Sequence, residues 1–266
     1  MGLERVLICL SAVLWIGTVM VQSKILQVQV LSRHCDRTTV HEDEVIPKDA
    51  FNWMDSFGLA EGQLTGLGQQ QCQTMGDNIR YRYLDESSAT RINGISSKYN
   101  QTLFHFRSTD VDRTLMSIWS VSMGLFPQGT GYDVIINNNE PNLGFALPNG
   151  TQAIPIHTEA KPTDGMLRGF ELCNTVDKRK KAVSSGAWAA VLSQYREFLD
   201  ELYTVTGWTK GDAKLHILFD LLQTQYSHKV LNLNWVINNW ETLDAVRNKL
   251  VRLENSHDVI GRYVIL

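Results

Sequence analysis

The chain has 266 residues, of which 43% are apolar and 20% charged, with a formal net charge of −3. That length suits one large domain, or a main domain with a smaller one attached, and the composition is ordinary for a soluble globular protein. A slightly negative chain has no global positive field to draw in a nucleic-acid backbone, so any anion site must be local.

Residues 1–23 read as a signal peptide. Arg5 supplies a basic start, residues 6–21 are apolar without charge, and Ser23 offers a small residue at the cleavage point. An uncleaved anchor is the alternative, although the apolar run is slightly short for a full span. Secretion leaves Cys35, Cys72 and Cys173 in an oxidising compartment, so an odd number of thiols remains. No two of them have metal-ligand spacing. Asn100 and Asn149 each head an Asn-x-Thr triplet and are candidate glycosylation sites.

The mature chain, residues 24–266, opens with ILQVQVL at 25–31, nearly continuous in apolar residues as expected of a strand covered on both faces. Thr65 is a candidate N-cap for a helix over 66–84, with Leu67, Cys72, Met75, Ile79 and Tyr83 at mostly helical intervals. A second strand, TLFHF at 102–106, leads through RSTD, where Ser108 or Thr109 can cap the next helix. An amphipathic run carrying Leu115, Ile118, Trp119, Ser122 and Leu125 follows, and Pro127 stops it. Strands alternating with helices predict an α/β fold with a largely parallel sheet. Residues 164–253 are richer in helical patterns, notably 188–203 and 215–226, and form a mainly helical subdomain. RYVIL at 262–266 reads as a buried strand.

In open α/β sheets, ligands bind beyond the carboxyl ends of the strands. Two segments reach that edge with basic residues: Arg33, His34 and Arg37 after the first strand, and Arg107 after the second. Planar guanidinium forks converging on one point suit a tetrahedral oxyanion such as phosphate. Clamping lowers the charge repulsion that a phosphoryl group presents to a nucleophile, and a neutral imidazole nitrogen is a competent one. The flanking charges push the His34 pKa down, which keeps the ring neutral in acid surroundings. A carboxylic acid would then protonate the leaving alcohol.

SRHCDRTTV at 32–40 resembles the R-H-G-x-R-x-P signature of the histidine acid phosphatases, the larger branch of the histidine phosphatase superfamily. Three further segments resemble that family in order: GQLTGLGQQQ at 62–71, RSTDVDRTLMS at 107–117 and PIHT at 155–158. The resemblance implies a three-layer, phosphoglycerate mutase-like sheet core with a helical cap. It also implies a small phosphomonoester substrate and neither a metal nor another cofactor; the charge already speaks against a nucleic-acid partner, and a homodimer is left open. It assigns His34 as the nucleophile and Arg33, Arg37 and Arg107 as the phosphate clamp; the signal-like start gives a secreted or lysosomal location, with a C-terminal membrane anchor as an alternative.

Two departures stand out. Cys35 replaces the signature's glycine and Thr39 its proline. A side chain at 35 either crowds the site or makes it sensitive to thiol chemistry. The family's second motif, His-Asp after a late strand, has one candidate in His257-Asp258. That pair precedes RYVIL rather than following it, so the expectation is a chain cut short before its proton donor and before a disulfide partner for Cys173. Two alternatives follow: an impaired phosphate-binding relic, or a phosphatase for inositol polyphosphates or lipid phosphates. The second calls for a broadly basic pocket, while Lys178 to Lys181 read better as a solvated turn.

Overall fold

The computed structural model describes residues 24–40, 46–48, 58–136, 142–174 and 186–254. Residues 1–23, expected to be a signal peptide, the Lys178–Lys181 cluster, His257-Asp258 and the strand expected at 262–266 lie outside them.

Helix α1 (Gly66–Tyr83) starts where its N-cap predicts: Thr65 Oγ1 accepts from the Gly68 amide at 3.0 Å. Helix α2 (Asp112–Leu125) packs along it. The two backbones touch through glycines, since a Cβ on Gly76 would sit 2.0 Å from the Val121 carbonyl oxygen and one on Gly124 would sit 2.1 Å from that of Gln73. Helix α2 begins later than expected. Its N-cap is Val111, with no side-chain cap, while Ser108 Oγ donates to the Thr109 carbonyl instead.

Beside this pair, Leu84, Phe106, Leu125 and Phe126 are buried together, with Tyr99, Phe104, Ile154 and Ile156 packed around them. A second, larger core joins the helical part: α4 (Ala187–Gln194), α5 (Arg196–Thr206), α6 (Leu215–Ser227), α7 (Asn234–Asn238) and α8 (Trp240–Glu254), with the short α3 (Gly169–Leu172) before them. Leu199, Leu202, Leu218, Leu222, Leu243 and Val246 lie at its centre, almost without exposed surface. The pattern at 188–203 is two helices rather than one, because the backbone breaks at Tyr195.

The sheet differs from expectation. Among the described residues there are three isolated bridges and no extended ladder: Arg37 with Leu64, Arg107 with His157, and Asp133 with Phe145. The segment 25–31 forms no ladder with any described residue, and Leu26 is 88% exposed. A buried strand needs neighbours on both edges and both faces, and these residues have none there. Only the Arg107–His157 bridge has the parallel sense that the strand–helix alternation predicts.

Candidate active site

Residues 36–39 run antiparallel to 62–65: Thr38 N–H donates to the Gln63 carbonyl at 2.9 Å and Thr65 N–H to that of Asp36 at 3.1 Å. This pairing presses the SRHCDRTTV loop onto the start of α1. Gly68 allows the approach, because a Cβ there would meet the Asp36 carbonyl oxygen at 2.1 Å. Asp36 holds the loop from three directions. Its amide donates to Gln71 Oε1 at 3.0 Å, and its Oδ2 accepts from Thr65 Oγ1 at 2.5 Å and lies 2.6 Å from His228 Nε2.

His34 is half-buried in this loop. Its Nδ1 lies 2.8 Å from the Cys35 carbonyl oxygen, which can only accept, so Nδ1 carries the proton and Nε2 keeps a lone pair. The ring's pKa is lowered from 6.5 to about 4, first by burial and then by the charges of Arg33, Arg37 and Arg113, against the opposing pull of the Cys35 carbonyl. The direction is the one expected from the sequence, although burial is a larger cause than the arginines. Partial desolvation, followed by neighbouring arginines, also lowers the guanidinium pKa values of Arg113, which is half-buried, and of Arg33, which still keeps much of its surface in solvent.

Arg37 is 8% exposed. Its Nη1 donates to Asp220 Oδ2 at 3.1 Å and to the Thr38 carbonyl at 2.7 Å, and its Nη2 donates to Asp220 Oδ1 at 2.8 Å. Asp220 comes from α6 and is the acidic group felt by Arg33 and Arg113 as well. The site therefore gathers the guanidiniums of Arg33, Arg37 and Arg113, the His34 imidazole and the Asp220 carboxylate, with Arg247 felt by Arg33 and Arg168 by Arg113.

Arg107, expected in the clamp, is committed elsewhere. Its Nη2 donates to Glu159 Oε2 at 3.0 Å and to Asp164 Oδ1 at 2.8 Å, and Asp164 has no exposed surface. The third arginine acting on His34 is Arg113, in the first turn of α2. The reason lies in the helix start: α2 begins at Asp112, so Arg113 rather than Arg107 stands at its N-terminus. Two signals were open in the sequence. Arg113 shares the RSTDVDRT segment with Arg107, and Asp220 is the one charge in the apolar run LHILFDLL.

Cys35 neither fills the site as a free thiol nor pairs with Cys173; it forms a disulfide with Cys72 of α1. Asn100 and Asn149 are both exposed, and Asn149 sits at φ +56° in a turn ending at Gly150.

A histidine held neutral, with one ring nitrogen left unprotonated among guanidiniums, is a candidate anion site with a candidate nucleophile at its centre. The chain belongs to the histidine phosphatase superfamily (branch 2), whose profile matches residues 24–218. It is 30% identical over 261 residues to lysosomal acid phosphatase of Xenopus laevis, covering 96% of this chain and 53% of that protein. It is also 30% identical over 227 residues to prostatic acid phosphatase of Bos taurus, covering 82% and 50%. Human lysosomal acid phosphatase is 29% identical over 205 residues, covering 75% and 42%. The chain thus spans about half the length of the curated relatives it matches. Membership brings the histidine phosphatase fold with it.

Proposed function

We propose that this protein is an acid phosphatase that hydrolyses small phosphate monoesters through a phosphohistidine at His34. The observation that carries this reading is the state of the ring. Its Nδ1 proton is tied to the Cys35 carbonyl, its Nε2 is free, and burial with three arginines keeps it neutral well into acid. Arg33, Arg37 and Arg113 bind the phosphoryl oxygens and stabilise the charge that builds up on them as Nε2 attacks phosphorus. The phosphorus–oxygen bond to the leaving alcohol breaks, a proton donor returns a proton to that alcohol, and water later discharges the phosphohistidine. The names of the relatives, lysosomal and prostatic acid phosphatases, support the same chemistry.

The same reading gives the whole protein a three-layer sheet core, supported by family membership and by the parallel Arg107–His157 bridge. It also places the protein in a lysosomal or secreted compartment. The signal-like residues 1–23 support this, as do Asn100 and Asn149, which are exposed where a glycan could attach. No helix among the described residues is long and apolar enough to cross a membrane.

The test is a covalent one. Protein mixed with a 32P-labelled aryl phosphate and quenched should retain acid-labile, base-stable label, and His34→Ala should retain none. Label that persists in His34→Ala would overturn the assignment.

A further inference from the structure

The residue that orients the His34 ring is itself covalently anchored. The Cys35 carbonyl takes the Nδ1 proton at 2.8 Å, its amide donates to Ser117 Oγ of α2 at 3.2 Å, and its sulfur is bonded to Cys72 of α1, with the two Cα atoms 6.0 Å apart. Cys72 has no exposed surface and lies on the face of α1 that packs inward, one turn beyond Gly68, where the loop backbone touches the helix. The histidine acid phosphatase signature that the loop resembles has a glycine at this position, which offers a carbonyl but no side-chain tie. The chain thus adds a covalent link between its proposed nucleophile loop and a rigid helix, a single residue from the reacting ring.

We propose that the Cys35–Cys72 disulfide is a positioning tether for the His34 ring, and that its reduction slows phosphoryl transfer without emptying the anion site. The slowed-transfer part rests on His34 being the nucleophile. Phosphate is held mainly by Arg33, Arg37 and Arg113, and Arg37 is fixed separately by Asp220 and Thr38. In-line attack depends in addition on where Nε2 points, and that direction is set through the Cys35 peptide. Small misplacements of an attacking atom cost large factors in rate. In the reductive step a dithiol attacks the Cys35 sulfur, because Cys72 is inaccessible. The sulfur–sulfur bond breaks, two electrons and two protons pass from the dithiol to the cysteines, and the dithiol closes to its own disulfide.

The experiment compares oxidised full-length chain with chain reduced by dithiothreitol and alkylated, mass spectrometry verifying that Cys35 carries the label and that the Cys35–Cys72 bond is gone. Four quantities are read: the rate of phosphoenzyme formation by rapid quench with an aryl phosphate, vanadate affinity, far-UV circular dichroism, and the 15N shifts of the His34 ring. Reduction should slow phosphoenzyme formation by about tenfold or more. Vanadate affinity should stay within about threefold and the dichroism should not change, while the ring passes from the Nδ1–H tautomer to a mixture. Cys72→Ala should show the same deficit and no response to dithiothreitol. The proposal fails if the alkylated protein forms phosphoenzyme at the oxidised rate with an unchanged tautomer. It fails equally if rate, vanadate binding and dichroism are lost together, since the bond would then be a general staple. Should the oxidised protein form no phosphoenzyme while the tautomer still shifts on reduction, the tether stands and the nucleophile assignment falls.

Discussion

Arg37 and Asp220 meet fork to fork, with two hydrogen bonds of 3.1 and 2.8 Å joining the signature loop to the middle of α6. The carboxylate is the countercharge that lets a guanidinium with 8% exposure sit beside two other arginines. Removing it strands a buried cation, which typically costs about 3 kcal/mol. Asp220→Ala is therefore expected to lower the melting temperature sharply. Inorganic phosphate should raise that temperature more in the variant than in the parent, because the bound anion replaces the lost carboxylate. Equal phosphate shifts by calorimetry would mean that Arg37 does not face the anion site.

Arg113 and Arg107 separate two readings of the same segment. Arg113 acts on His34, whereas Arg107 is occupied by Glu159 and the wholly buried Asp164. Arg113→Ala should weaken vanadate binding about a hundredfold, the loss of one charge-assisted contact of about 3 kcal/mol. Arg107→Ala should leave vanadate affinity within a few-fold and instead destabilise the fold by about 3 kcal/mol, because Asp164 loses its cation. Titration calorimetry paired with denaturant melts distinguishes them; the opposite pattern would return Arg107 to the clamp.

How far the sequence alone carries depends on whether a feature is local. Helix α1 and its Thr65 cap, α2 with Pro127 beyond its end, and α6 were legible because period and capping are properties of neighbouring residues. The loop carrying Arg33, His34 and Arg37 was legible for the same reason. What escaped depends on distant partners. Asp220 meets Arg37 across 183 positions, and Cys72 meets Cys35 across 37, a pairing that three cysteines leave undecided. The choice of Arg107 over Arg113 turned on a helix start displaced to Asp112, and end positions are where pattern reading is weakest. The apolar run at 25–31 reads as a strand from composition, but a ladder requires a neighbour that composition does not supply.

The His34 ring gives a prediction in pH. Its pKa is lowered to about 4, mainly by burial, so the neutral form persists through the acid range. For an aryl phosphate, kcat/KM should fall on the acid side with an inflection near 4 rather than 6.5. The stability term has the matching sign. Between 6.5 and about 4 the unfolded chain binds a proton that the folded ring refuses, so this contribution is fully present above 6.5 and is lost as pH falls toward 4. Arg113→Gln removes one repelling charge and should move the inflection upward, still short of 6.5 because the ring stays buried. An NMR titration of the ring proton checks both values independently of substrate ionisation; a midpoint of 6.5 in the parent would contradict the site as described.

Asp36 makes the second tie between the loop and α6, one residue before Arg37. Its Oδ2 lies 2.6 Å from Nε2 of His228, just past the end of α6, with side chains only 12% and 10% exposed. The same oxygen accepts from the cap residue of α1 at 2.5 Å. One carboxylate thus joins the loop, the cap of α1 and the end of α6. Hydrogen bonds to charged groups of this kind contribute about 1.5–3 kcal/mol, and groups that share one partner depart from additivity. A double-mutant cycle of Asp36→Asn and His228→Gln should therefore give a coupling energy of about 1–3 kcal/mol in urea melts. The single variants should each lower kcat more than they change vanadate affinity, because the loop that aims His34 loosens while the arginines remain. Additive losses, with no coupling, would show that the pair is a contact without a mechanical role. In that case the mechanical link between the signature loop and α6 would rest on Arg37–Asp220 instead.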